Sequence, residues 1–167
     1  ATAFPHFGPA TLPSDATVAA FLLGRFYLSR ARWFVLFLGE AALIDQFAVT
    51  WGGVDDWCIT PAYAFLVPAY GAAWLAGVWT ARGFETNLSG TARALGGLAA
   101  GVSAWFVVSN AGFYLYSGYF GDLSAAEYAA RVAKYFGPYL ATAAAYVLLA
   151  AVLHALWRLA RRTRQRA

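Results

Sequence analysis

A chain of 167 residues that is 61% hydrophobic and only 12% charged, with a mean hydropathy of +0.55, cannot cover its surface with solvated charge; soluble domains carry about 25% charged residues. Lipid is therefore the expected solvent, and a water-soluble enzyme or binding domain is excluded. The net charge of +4 is placed unevenly, with Arg158, Arg161, Arg162, Arg164 and Arg166 crowded at the C-terminus, a pattern that suits a cytoplasmic flank at anionic lipid and not a nucleic-acid patch.

In chain order, five apolar stretches predict helices over 14–29, 33–50, 60–81, 91–112 and 136–158, most of them near the ~20 residues that cross a bilayer. The first is short and ends in Arg25 and Arg30, whose long stems can snorkel to the interface. Between the stretches lie RAR (30–32), WGGVDDWC (51–58), RGFETNLSG (82–90) and a longer segment, 116–135. That segment reads as an extracellular turn followed by a short amphipathic helix, since Asp122, Glu127, Arg131 and Lys134 are too many charges for a sixth span. The expected fold is an all-α integral membrane protein with five visible transmembrane helices plus a short amphipathic helix, in a single domain over 1–167. Residues 1–13 form a segment before the first helix, and 158–167 form a basic tail. The chain has no methionine and starts at Ala1, so it is expected to begin downstream of the encoded start; a further helix upstream would make six spans.

Arginine placement orients the bundle. With the basic tail cytoplasmic, counting back puts the Arg-bearing RGFETNLSG and RAR linkers inside. The N-terminal FPHFGP, the turn WGGVDDWCITPAY and the segment SNAGFYLYSGYFGD then meet on the outer face. They bring together His6, Cys58, Asp55, Asp56 and Asn110 with an aromatic set that includes Phe7, Trp57, Tyr114, Tyr119 and Phe120. Aromatic walls with a few polar groups suit a mostly apolar ligand, although Trp and Tyr also gather at any membrane interface.

Cys58 is the only cysteine, which excludes an internal disulfide. It can be a small buried hydrophobe. It also precedes a helix start at Ile59-Thr60-Pro61, where unpaired N–H groups favour a thiolate and a thiolate is a soft metal ligand. Asp55 and Asp56 oppose that ionisation. One Cys and one His are too few for a structural zinc site, but one thiolate suffices for a metal already held in a macrocycle. His6, judged alone, reads as a solvated interfacial histidine, and His154 as an interfacial residue near the opposite face. Glu40 and Asp45 lie inside the second stretch; intramembrane carboxylates usually face a bundle interior or a cavity. Asp45, nearer the outer end, can line a pocket floor, and Tyr63, about a turn beyond Cys58, can share that space. Arg131 can pair with Asp45 or with a ligand phosphate or amide. Neither GxxxxGK[ST], HExxH, GxSxG nor CxxCH occurs, so no nucleotide site of the P-loop kind is expected in this chain.

The segments PHFGPATLPSDATVAAFLLGRFYLSRARW, ALIDQFAVTWGG and WFVVSNAGFYLYSGYF resemble, in that order, the substrate-binding (S) components of energy-coupling-factor (ECF) vitamin transporters. They are most similar to the cobalamin-specific, often solitary BtuM type. The Pro-His near the start, Asp45 and the Ser-Asn before an aromatic loop carry most of the likeness. The resemblance implies a bundle of six helices with both termini cytoplasmic, in the bacterial inner membrane. It implies vitamin binding at the outer face and transport inward, with a coupling subunit and two ATPases as partners, or with none where the protein is solitary. It makes cobalamin the bound substrate, Cys58 the axial ligand to cobalt and His6 the second candidate. A thiolate on cobalt could also displace cyanide, an ancillary decyanation in which Cys58 would be catalytic. The alternatives are an S-component for another vitamin or metal with Cys58 structural, a small membrane haem or quinone redox protein, and a structural membrane subunit without a ligand.

Overall fold

The computed structural model describes residues 16–28, 30–52 and 59–165. Five α-helices account for most of them: α1 (Thr17–Tyr27), α2 (Arg32–Trp51), α3 (Leu66–Arg82), α4 (Leu88–Tyr116) and α5 (Ala125–Arg164); a 3-10 turn, Pro61–Phe65, leads into α3. Among the described residues there is no strand.

Local chemistry explains where the helices begin. Pro61 opens the 3-10 turn, where its missing N–H is not needed. Asn87 caps α4 by accepting from the Gly90 amide at 2.9 Å. Ser124 and Glu127 form a reciprocal capping box at the head of α5. Gly118, with φ of +80°, makes the left-handed corner between α4 and α5 that a side chain would resist.

Four helical stretches are long and apolar enough to cross a membrane: Arg32–Trp51, Pro61–Arg82, Leu88–Tyr116 and Ala125–Arg164. The chain is thus an all-α, multi-pass membrane bundle, as its composition predicts. Two elements differ in extent from expectation. The amphipathic segment and the last apolar stretch are one continuous 40-residue helix. The Ser124 cap and the alanine-rich run after it favour unbroken helix, and Pro138 is accommodated within it, as proline is in membrane helices. At about 1.5 Å per residue α5 rises about 60 Å, twice the hydrocarbon core, so its first turns lie beyond that core. Conversely, α1 has only 11 residues and rises about 16 Å.

The short helix is the best buried. Val18, Ala19, Phe21 and Leu22 of α1 face the core with Ala69, Tyr70, Ala73 and Trp74 of α3 and Val102 and Trp105 of α4. The Phe21 ring stacks on Tyr70 at 4.4 Å, and Phe34 and Phe37 of α2 present their edges to it at 5.5 and 5.8 Å. The helices approach closely where residues are small: a Cβ on Gly77 would collide with the backbone carbonyl of Leu22, the close backbone contact that holds helices together in lipid. The largest interhelical contacts are α3 with α4 and α1 with α3. α2 and α5 are peripheral, with Ala48 the one buried residue of α2 and Tyr128 and Ala143 those of α5. At the arginine-rich end, Arg93 donates twice to the Trp79 carbonyl, at 2.9 and 2.7 Å, and Tyr27 lies 5.7 Å from the His154 ring.

Candidate functional site

At the opposite end, the C-terminal ends of α2 and α4 meet the N-terminal ends of the 3-10 turn and α5. The Tyr63 hydroxyl donates to Asp45 Oδ2 at 2.8 Å. The bond joins the last third of α2 to the turn that starts the next span, and both residues are half-buried. The proximity expected for Asp45 and Tyr63 is therefore realised as a direct contact. Phe65 stacks on Tyr116 at 4.8 Å, tying the same turn to the end of α4. A side chain on Gly112 would collide with the Phe65 ring, so α4 is pressed against the turn at that level.

The second half of the site is aromatic. Asn110 Nδ2 donates to the Phe106 carbonyl within α4 at 2.8 Å, while its Oδ1 accepts from the Tyr128 hydroxyl of α5 at 3.2 Å. The Tyr114 hydroxyl donates to the Leu123 carbonyl at 2.7 Å and pins the α4–α5 connection. The Tyr128 ring packs 5.0 Å from Tyr114 and 4.9 Å from Phe120, and Phe113 lies 5.6 Å from Phe120 and 6.2 Å from Tyr119. Tyr119 remains 55% exposed, the most accessible ring of the set. Asn110, Tyr114, Tyr119 and Phe120 thus belong to one cluster.

Arg131 stands exposed on α5, one helical turn beyond Glu127, and Asp45 takes its hydrogen bond from Tyr63. Glu127 has two bonds from Ser124, at 2.6 Å from the hydroxyl and 3.0 Å from the amide. These bonds hold its carboxyl below the usual range, with the nearby Arg131 charge adding to the effect.

Among the described residues, two buried polar atoms lack a hydrogen-bond partner: Thr60 Oγ1, two residues past Cys58, and Trp105 Nε1. Trp105 is 6% exposed and lies 6.4 Å from the Tyr70 ring and 5.1 Å from Tyr139. A buried indole N–H without an acceptor is costly. Neither residue stands out in the sequence, because an unmet hydrogen bond has no sequence signal. Tyr128 is different: Tyr128, Val132, Phe136 and Tyr139 recur at i, i+4, i+8 and i+11 and all turn towards the core. That helical stripe was available to find it.

Cys58, His6, Phe7 and Trp57 lie outside the described residues. Among the described residues no three His, Cys, Asp or Glu side chains gather as a metal site. The described arrangement offers an aromatic surface, one carboxylate and a side-chain amide, a set able to bind an apolar molecule edged with polar groups. No family model matches the chain, and no curated protein matches it.

Proposed function

We propose that this chain is the substrate-binding component of a bacterial vitamin-uptake system and that its substrate is cobalamin. The observation that carries the reading is the Asp45–Tyr63 hydrogen bond. It ties together the two helical segments that flank residues 53–58, the stretch that holds Cys58. The neighbouring cluster of Asn110, Tyr114, Tyr119, Phe120 and Tyr128 suits a broad, apolar-faced corrin with amide groups at its rim.

In this reading the Cys58 thiolate fills one axial position of cobalt, and His6 is the second candidate. Phe7 and Trp57 add to the aromatic wall, and Arg131 meets a phosphate or amide of the substrate. Where the substrate carries cyanide on cobalt, the thiolate would take its place: the sulfur lone pair would form the new bond as cyanide leaves with the electron pair of the old one, so no oxidant or reductant is needed. The site faces outward from the inner membrane and the basic tail faces the cytoplasm. Transport inward is completed with a coupling subunit and two ATPases, or by the solitary protein.

The test is the absorbance spectrum of purified protein mixed with cyanocobalamin. The wild-type protein is expected to retain a red corrinoid and to shift its bands, and Cys58→Ala to abolish the shift. An unchanged spectrum and affinity in Cys58→Ala would remove the ligand assignment, and a protein that retains no corrinoid would remove the substrate. Growth rescue of a cobalamin-uptake-deficient bacterium, with and without Cys58, reads the same assignment in the cell.

A further inference from the structure

The two carboxylates of α2 have different surroundings. Asp45 is joined to Tyr63, whereas Glu40, five residues earlier, is separated from it by about 140° around the helix and is exposed. Glu40 is the ninth of 20 residues in α2, near the middle of a span, where an unpaired carboxylate is costly. Among the described residues it has neither a hydrogen bond nor an ion pair. Leu36, Glu40, Leu43 and Phe47 follow one another at i, i+4, i+7 and i+11, and the three apolar members are 56%, 72% and 60% exposed. They form a continuous ridge on the helix that contributes least to the core. Beside Glu40 a cleft of about 200 Å³ opens between α1 and α2, with apolar walls that include Ala20, Phe21, Phe37 and Ile44.

We propose that this ridge is a docking surface for a membrane helix of a partner protein that carries a lysine or arginine at mid-bilayer depth. The aliphatic stem of that residue fills the α1/α2 cleft, and its cation meets Glu40. Charge complementarity selects the occupant, since a lipid chain leaves the carboxylate unpaired. A second copy docked ridge to ridge sets Glu40 against Glu40. An apolar cleft with one charge at its rim is the shape that takes a long basic side chain. The proposal stands apart from the cobalamin reading and uses none of its residues.

The test reconstitutes the full chain, donor-labelled at its C-terminus, in phosphatidylcholine vesicles with acceptor-labelled polyleucine helices of about 20 residues. The helices carry a central lysine, leucine or glutamate. Wild type is expected to reach half-maximal energy transfer with the lysine helix at about tenfold lower peptide density than with the leucine helix, the reach of one desolvated ion pair. Glu40→Gln should erase that preference, and Glu40→Lys should transfer it to the glutamate helix. Phe47→Ala, which alters the ridge and leaves the charge, should weaken binding of the lysine helix severalfold. Equal binding of the lysine and leucine helices by wild type overturns the proposal, as does a preference that survives Glu40→Gln. In vesicles that also hold acceptor-labelled copies of the chain, transfer between copies that an unlabelled lysine helix does not displace assigns the ridge to self-association and also overturns it.

Discussion

The Asp45–Tyr63 pair lets a single hydroxyl be tested. Both side chains are half-buried and the bond is 2.8 Å long, so Tyr63→Phe leaves a carboxylate without its donor. The expected cost is about 1–3 kcal/mol of stability, the penalty of an unsatisfied buried group. In an Asp45→Ala background the same change should cost little, because the group it strands is already gone. Thermal unfolding of the four proteins in detergent reads the difference as a coupling energy; additive losses would mean that the bond contributes nothing. These two residues were legible in the sequence because each is chemically out of place, an acid within an apolar run and a tyrosine just past a proline. The unpartnered indole of Trp105 was not, since what singles it out is the absence of an acceptor around it, a property of the packing. Tyr128 lies between. Its stripe is written in the sequence, but the charges at Glu127, Arg131 and Lys134 draw the reading towards solvent.

α5 turns on its cap. The Ser124 hydroxyl and amide hold Glu127 ionised below the usual carboxyl range. A carboxyl depressed in the folded state stabilises that state above its unfolded pKa. The contribution is lost as pH falls through the lower, folded value. Ser124→Ala removes the largest source of the depression, the hydroxyl bond, and leaves that of the amide; the capping bond lost with it costs about 1 kcal/mol. The variant should therefore melt earlier at neutral pH and lose less than wild type on acidification. Melting curves that fall in parallel from neutral to acidic pH would show that the pair carries no pH-dependent stability. Element boundaries were the less legible part of the fold. Charge density divides residues 116–135 from 136–158, and the sequence reads as two helices. Backbone hydrogen bonding ignores that division, and one capped helix runs through both.

Across the molecule, most of the arginines lie at the end opposite the aromatic cluster, with Arg131 the exception. Arg82, Arg93, Arg161, Arg162 and Arg164 mark one, and Asn110, Tyr114, Tyr119 and Phe120 with the Asp45–Tyr63 bond mark the other. Positive charge near span ends sets membrane orientation. The proposed topology has the aromatic end outside, and the lone Cys58 makes it measurable without engineering. A membrane-impermeant maleimide added to intact cells stripped of their outer membrane should label Cys58, and bound cyanocobalamin should protect it. Labelling only after the inner membrane is broken would invert the bundle. Four of the five expected spans are long enough to cross a membrane, whereas α1 is not. The order of the apolar helices was legible because apolar runs are separated by Gly- and Arg-bearing linkers. Which helices are central was not, because in lipid every span is apolar and periodicity hardly separates a core face from a lipid face.

The shortness of α1 reaches beyond the finished bundle to how it is made. A helix that rises about 16 Å cannot join both headgroup layers of a ~30 Å core. Released alone into the bilayer, it would leave the backbone groups at an end in hydrocarbon without partners. Its burial depends on α3, above all where Gly77 admits the Leu22 carbonyl, and α3 is synthesised later. During biogenesis α1 must therefore wait near the insertion site until α3 has entered the membrane. The first of these helices to leave the ribosome cannot take its seat before the third.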